Sequence, residues 1–405
     1  MKHTIATCAA LIAFPLLAKA DLYYVGDESM ESLPIKWSVG ANLIFDDNVA
    51  PNRAVKDSSM ATNPYVGMSW INVTPQTSID IFARLGLIYY FDSPAGIDDV
   101  NSQSRVGVNV THRFSERLRW ISRNFVSYEL EPDYAYAYAN TRDASEYFYW
   151  QTNNSLGFRW TERFATYTGF TLSGVDYGNS NDNDRFTWGF NNQFRYQLTP
   201  QTVLTADYRY SDTNSSGLGR DSTDQFALIG VEHRFSPNTV GVMRVGIQNR
   251  SVTGGSSSTQ PSLEFALNSR VNEQLSVRAF TRYSMESYDT VRVTNGGDTV
   301  QFDQRQTLRI GLSAEYMLSP KLSFNAGLDY IPTTYKDGVN VGVSPPVNLG
   351  GTFDDHLINA MLGFSYRFTD SVFGTLSYSH TDSSSDLAGR DYSRNRVSLG
   401  VRAEF

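Results

Sequence analysis

Arginine is the residue type whose spacing suggests chemistry. Apart from a leader described below, the chain holds 28 arginines and 4 lysines. Many of these arginines fall at every second position between apolar neighbours. Arg84 alternates with Ala83 and Leu85, Arg278 and Arg282 lie among Val277, Ala279 and Tyr283, and Arg195, Arg309, Arg396 and Arg402 follow the same parity. A guanidinium stays charged at physiological pH and presents paired donors, so arginines along one surface can grip carboxylate, sulfate or phosphate. One chemistry is therefore a path for polyanions or acidic sugars, lined by Arg84, Arg195, Arg278, Arg282, Arg309, Glu315, Arg396 and Arg402. The other is bracing, with the same arginines paired to Asp80, Asp207, Glu264, Glu315 and Glu404, because a polar interior needs internal partners.

Three other groupings invite weaker readings. Asp46, Asp47, Asp98, Asp99, Asp182, Asp184, Asp354 and Asp355 gather in polar segments where oxygen ligands could bridge divalent cations, yet they lack the spacing of a calcium loop, and no metal site is assigned. Tyr134, Tyr136, Tyr138, Tyr147, Phe148, Tyr149 and Trp150 suit either an interfacial girdle or a sugar-stacking track. His112, His233, His356 and His380 stand in no recognisable arrangement with a nucleophile and a carboxylate, and no phosphate-binding glycine loop occurs. No catalytic residue and no cofactor is expected, and the chain reads as a non-enzyme.

The leader is residues 1–20. Met1-Lys2-His3 is a positive start, residues 5–17 are apolar but too short to span a bilayer, and Ala18-Lys19-Ala20 has the small-x-small form of a signal-peptidase site, so cleavage is expected before Asp21. Cys8 is the only cysteine, which leaves the mature chain without disulfides or thiolate chemistry. The 34 basic and 42 acidic residues become 32 and 42 after removal of Lys2 and Lys19, a net charge of −10. Such a chain has no general attraction for nucleic acid. Beyond Asp21 there is no run of eighteen apolar residues, so no helical membrane span is expected.

The elements that would position the arginines are strands. A short turn recurs near Thr74, Ser115, Thr161, Thr199, Ser236, Asn272, Ser319 and Thr369, often after an aromatic-capped pattern such as His112-Arg113-Phe114-Ser115, His233-Arg234-Phe235-Ser236 or Tyr366-Arg367-Phe368-Thr369. Between the turns run long limbs of period two. Ile310, Leu312, Ala314, Tyr316 and Leu318 alternate with Arg309, Gly311, Ser313 and Glu315, and residues 79–91, 186–198, 324–330 and 358–368 behave alike. A propeller blade would break such a limb every five residues or so. A limb of about ten residues has the length of a tilted bilayer-spanning strand, and in hydrocarbon only a closed barrel pairs every backbone group. The mean hydropathy of −0.35 follows, since the polar half of each strand cancels the apolar half.

The far ends of the limbs are joined by polar segments at 46–62, 179–184, 214–224, 254–260, 337–351 and 382–390. Eight turns join sixteen strands, and one more at each end, over 35–45 and 392–405, gives an all-β, transmembrane, antiparallel up-and-down barrel of 18 strands, with 16 as the fallback. Short turns would face the periplasm and long loops the exterior. The last strand, with Val397, Leu399, Val401, Ala403 and Phe405 on one face, resembles the terminal signature by which outer-membrane barrels are recognised for insertion, which implies contact with the barrel-assembly machinery at Phe405.

The opening strand Trp37-Ser38-Val39-Gly40-Ala41-Asn42-Leu43-Ile44-Phe45 running into Asp46-Asp47-Asn48-Val49 resembles the outer-membrane beta-barrel porin family of the second type, with Asp46, Asp47 and Asn48 as its motif. That resemblance implies kinship with the barrels that accompany exopolysaccharide export in Gram-negative bacteria, and with it a periplasmic polysaccharide-export protein as partner. The expected organisation is a signal peptide at 1–20, a short periplasmic segment at 21–34 and an outer-membrane barrel at 35–405, in contact with outer-membrane lipid and lipopolysaccharide. The expected work is passive conduction linked to exopolysaccharide export. A general or anion-preferring diffusion porin is the alternative within transport, and a structural or adhesive barrel without an open pore is the alternative outside it.

Overall fold

A computed structural model describes residues 32–50, 56–93, 96–130, 146–178, 184–287, 290–293, 299–386 and 391–405. The leader, most of the segment before the barrel, part of the 179–184 loop with Asp182, and Tyr134, Tyr136 and Tyr138 lie outside them. The strands are β1 (Leu33–Asp46), β2 (Ser59–Val73), β3 (Thr77–Tyr90), β4 (Val100–Arg113), β5 (Leu118–Glu129), β6 (Tyr147–Arg159), β7 (Phe164–Tyr177), β8 (Arg185–Thr199), β9 (Thr202–Ser215) and β10 (Ser222–Ser236). They continue with β11 (Thr239–Val252), β12 (Ser257–Arg270), β13 (Leu275–Met285), β14 (Val291–Val293), β15 (Thr299–Ser319), β16 (Leu322–Asn340), β17 (Val347–Asn348), β18 (Thr352–Arg367), β19 (Val372–Ser385) and β20 (Tyr392–Glu404).

Each long strand pairs antiparallel with its sequence neighbours, and β13 meets β15 directly, as β16 meets β18. The two short strands pair only within loops, β14 with β15 and β17 with β16. Eighteen strands remain as staves. Closure is made by β1 against β20, from Ser38 opposite Glu404 to Asp46 opposite Arg396. Trp37 and Phe405 exchange backbone bonds of 2.8 and 3.0 Å beyond that register. No edge is left among these strands, which is the condition for a sheet to lie in hydrocarbon.

Alternation decides which face looks out. Val39, Leu43 and Phe45 of β1, Leu85 and Leu87 of β3, and Leu399 and Val401 of β20 are exposed, as are their counterparts around the ring. The intervening Ser38, Asn63, Gln193, Arg244 and Arg309 are buried against the wall of the lumen. An apolar outer band with polar inner positions is the inverse of a soluble protein and defines a transmembrane barrel.

All eight expected turns are present, and one device builds them. The side-chain oxygen of the first turn residue accepts backbone N–H bonds from two or three residues on: Ser115 from Leu118 at 3.1 Å, Thr161 from Phe164 at 3.1 Å, Asn272 from Leu275 at 2.8 Å, Thr369 from Val372 at 3.0 Å. Thr74, Thr199, Ser236 and Ser319 do the same for Thr77, Gln201, Asn238 and Leu322. Such bonds mimic a backbone turn and explain why only Ser, Thr or Asn opens each one. The aromatic caps form pairs two residues apart on the outer face, His112 with Phe114 and His233 with Phe235 at 4.6 Å, Phe158 with Trp160 at 4.7 Å, Tyr366 with Phe368 at 5.1 Å. Gly241 and Gly374 make room for two of them, since a Cβ there would meet the rings of Phe235 at 2.9 Å and Phe368 at 2.6 Å.

The opposite rim departs from expectation. The polar stretches at 254–260 and 382–390 are partly strand, because β12 begins at Ser257 and β19 runs to Ser385, and β16 continues to Asn340, well past the 324–330 limb. The apolar alternation stops at the bilayer edge, but backbone pairing does not need it. These strand ends carry Ser, Thr, Gln and Asp, which are indistinguishable from loop in a pattern of hydrophobicity.

Candidate functional site

The lumen wall is the candidate site. Register places all eight expected lining residues inward: Arg84 opposite Gly67, Arg195 opposite Thr205, Arg278 opposite Asn268, Arg282 opposite Glu264, Arg309 opposite Arg282, Glu315 opposite Asn325, Arg396 opposite Ser379 and Arg402 opposite Phe373. They do not form one surface. Arg195, Arg282 and Arg309 are held in a brace, and Arg278 is exposed at the short-turn mouth.

The brace crosses β8 to β15. Arg195 donates to Glu232 at 2.7 Å and to Gln193 at 3.0 Å, and Gln193 donates to Asp207 at 2.7 Å. Arg244, wholly buried, lies 3.4 Å from Asp207 and 3.3 Å from Glu264. Glu264 also accepts a two-pronged contact from Arg209 at 2.6 and 3.0 Å. Farther round, Glu286 receives Arg282 at 3.0 Å, Arg305 at 2.7 Å and Arg309 at 2.9 Å. Charges so enclosed are stable only as partners, because a lone buried ion loses several kcal/mol of hydration. Arg402 bonds Glu404 at 2.8 Å and covers the Phe373 ring at 4.9 Å. Arg84 lies 3.8 Å over Tyr65 and donates to Asn63 at 3.1 Å. Asp207, Glu264 and Glu404 are thus bracing partners, whereas Glu315 is half-buried on the wall.

The Asp46-Asp47-Asn48 motif closes the ring. Asp46 is buried under Arg394, whose Nε donates at 2.9 Å and whose Nη2 also donates, with Arg396 at 4.0 Å. Asp47 accepts from the Asn395 backbone at 2.6 Å and side chain at 2.7 Å, and Asn48 donates to the Ser393 carbonyl at 3.1 Å. Three consecutive residues, the last of β1 and the two that follow it, therefore grip three consecutive residues of β20. Burial raises the Asp47 carboxyl, and the Asn395 bonds with the nearby Lys56 charge overcome this and hold it below the usual aspartate range. Val49 and Leu130 join the inward-facing Ile44, Ala61, Ile88 and Tyr90 in one apolar cluster, so loop chain folds over the lumen wall at this end.

The short-turn mouth is different. Arg113, Arg159, Arg234, Arg270 and Arg278 all take inward positions there and all are exposed. A cavity of about 690 Å³ beside them is lined by Arg113, Arg117, Arg119 and Arg159 with Glu116 and Tyr167. The turns themselves carry both signs, Glu116 and Arg117, Glu162 and Arg163. The long-loop rim is acidic, with Asp92, Asp98, Asp99, Asp176, Asp221, Asp386 and Asp391 exposed. Four of the mouth arginines escaped the parity reading, although the signal was present. In His112-Arg113-Phe114 and His233-Arg234-Phe235 two outward rings flank one residue, which must then face inward.

The aromatic cluster splits by parity. Tyr147 and Tyr149 face the lumen and pack with Phe125, Val175, Phe82 and Tyr177, while Phe148 and Trp150 face out. Of the aspartates considered for cations, three take local bonds: Asp184 accepts from Tyr177 at 2.9 Å, Asp354 from Thr334 at 2.6 Å, and Asp355 from Ser385. His112, His233, His356 and His380 all lie on outward faces, His112 and His233 with Nδ1 at 2.8 and 2.9 Å from Thr77 and Thr202.

The family model described as "Putative beta-barrel porin 2" matches residues 305–405. Solved structures with similar folds include OccAB4 of Acinetobacter baumannii, at 13% identity and TM-score 0.47, over 93% of this chain and 99% of that one. OpdK of Pseudomonas aeruginosa with vanillate matches at 11% identity and TM-score 0.48, over 92% and 99%. The siderophore receptor PirA of Acinetobacter baumannii matches at 8% and 0.45, over 93% and 81%. No curated protein sequence matches the chain. The barrel itself rests on the strand pairing that closes β1 on β20.

Proposed function

We propose that this barrel is a passive outer-membrane conduit for anionic solutes, drawing them from the short-turn side. The observation that carries this reading is the charge polarity along the axis: inward, exposed Arg113, Arg159, Arg234, Arg270 and Arg278 at one mouth, exposed aspartates at the other. An 18-stranded barrel is wide enough to leave an aqueous channel. Low-dielectric walls focus the field of such a ring and raise the local concentration of counter-ions. With short turns on the periplasmic side, as in bacterial barrels generally, an anion is gathered from the periplasm and meets repulsion when it approaches from outside.

That direction favours export over uptake. The more specific form of the proposal is a conduit for an acidic exopolysaccharide, working with a periplasmic polysaccharide-export protein. The resemblance of the opening strand and its Asp-Asp-Asn motif supports it, while the family match over 305–405 supports the porin reading alone. A general anion-preferring porin shares the same mouth and lacks only the polymer. Planar-bilayer recording tests the common part: stable conductance with a reversal potential on the anion side supports a pore, and a folded barrel without conductance overturns it. Deletion of the gene tests the polymer, since unchanged surface polysaccharide would leave only the diffusion porin.

A further inference from the structure

Among the described residues the outer face is mostly apolar, with single polar positions such as Thr62 and Thr281 and one polar cluster. At mid-height on β5 to β8, Asn124, Thr152, Asn154, Thr168 and Asn192 point outward, and Ser122 shares that face but is buried. Their strands are apolar above and below them: Trp120 and Val126 on β5, Leu156 and Trp150 on β6, Phe194 and Phe190 on β8. The polar group therefore sits within the hydrocarbon layer and not at its edge. The side chains form a ladder, with Thr152 donating to Asn124 at 2.7 Å, Asn154 to Thr152 at 2.9 Å, Asn124 to Ser122 at 3.1 Å, and Asn192 to Thr168 at 3.1 Å. The same height on the opposite wall presents Leu312, Leu328 and Leu362.

We propose that this face is where two copies of the chain pair in the membrane, each patch against the same patch of its partner. Amide and hydroxyl groups in hydrocarbon gain from any partner that returns their spare donors and acceptors, and small polar side chains allow close approach between membrane-embedded surfaces. The occupant is a second copy because the patch is self-complementary. Each Asn both donates and accepts, no charge is present to repel its own image, and a two-fold axis through the patch sets it against itself. A lipid cannot serve, since its polar groups lie at the membrane surface and the patch lies at the middle. This inference stands independently of the solute.

Native mass spectrometry of the full mature chain released from lipid nanodiscs tests it, together with disulfide formation by Asn154→Cys and Leu312→Cys variants in the otherwise cysteine-free mature protein. The expected result is a dimer mass for wild type, a monomer mass for Asn124→Val/Asn154→Leu/Asn192→Leu, and a disulfide-linked dimer from Asn154→Cys but not from Leu312→Cys. Heat-modifiable migration on gels confirms that each variant is a folded barrel. A monomeric wild type, a dimer that survives the triple substitution, equal linking from both faces, or linking to a different protein would each overturn the proposal.

Discussion

The two ends of the lumen use arginine differently. In the middle and towards the long loops, arginines are consumed by carboxylates: Arg244 between Asp207 and Glu264, Arg309 and Arg305 on Glu286, Arg394 on Asp46. At the short-turn mouth Arg234, Arg270 and Arg278 stand in solvent. One residue type thus does structural work where it is enclosed and presents charge where it is not, and burial decides which. The difference predicts that substitutions will separate cleanly into those that move stability and those that move selectivity.

The largest effect belongs to the brace. Arg244→Ala leaves Asp207 and Glu264 short of a cation in a buried place, and breaking such a pair costs about 3–5 kcal/mol. Equilibrium unfolding in urea from lipid vesicles should show that loss, with the sign of ion selectivity unchanged. Arg394→Ala acts on the seam by orphaning the buried Asp46, with a loss of similar size or somewhat less, because Arg396 remains at 4.0 Å. Fraying should be detectable as faster hydrogen exchange in β1 and β20 than in β10 and β11. If both strand pairs exchanged alike, the motif would have no special part in closure.

Charge reversal at the mouth should do the opposite. Arg234→Glu/Arg270→Glu/Arg278→Glu should change stability by no more than about 0.5 kcal/mol per site, as for exposed positions generally, while moving the reversal potential towards cations. Arg282→Glu, by contrast, would set a carboxylate beside Glu286 and Glu264 and should act chiefly on stability. The smallest effect concerns pH. The Asp47 carboxyl is held below its ordinary range in the folded barrel, so its contribution to the seam is present above the unfolded aspartate pKa of about 3.9. It is lost as pH falls through the lower folded value. Hydrogen exchange at Asn395 should accelerate only below about pH 4, and an Asp47→Asn variant should remove that dependence.

Much of this was legible along the chain. Turns and strands are local, so Ser, Thr or Asn at each turn and the alternation between them suffice to give eighteen staves. Parity also suffices to place Arg278 and Arg282 on the same face. It cannot distinguish them, because what separates them is the carboxylate across the strand or loop: Arg282 faces Glu264 and reaches Glu286, whereas Arg278 faces Asn268. The Asp46-Asp47-Asn48 motif is visible as a pattern, but its partners Ser393, Arg394 and Asn395 are more than 340 residues away, and only closure brings them together. The polar patch on β5 to β8 was equally hidden, since one Asn on an outward face means little until neighbouring strands place Asn154, Thr168 and Asn192 beside it.

The central claim is that the two mouths differ in charge and that the short-turn mouth gathers anions. The most direct test is one-sided block of single-channel current by a sulfated oligosaccharide, in bilayers where the orientation of the barrel is fixed by a tag on a long loop. Block at markedly lower concentration from the short-turn side, abolished by Arg234→Glu/Arg270→Glu/Arg278→Glu, is the predicted result. Equal block from both sides, or stronger block from the side of the long loops, would contradict it.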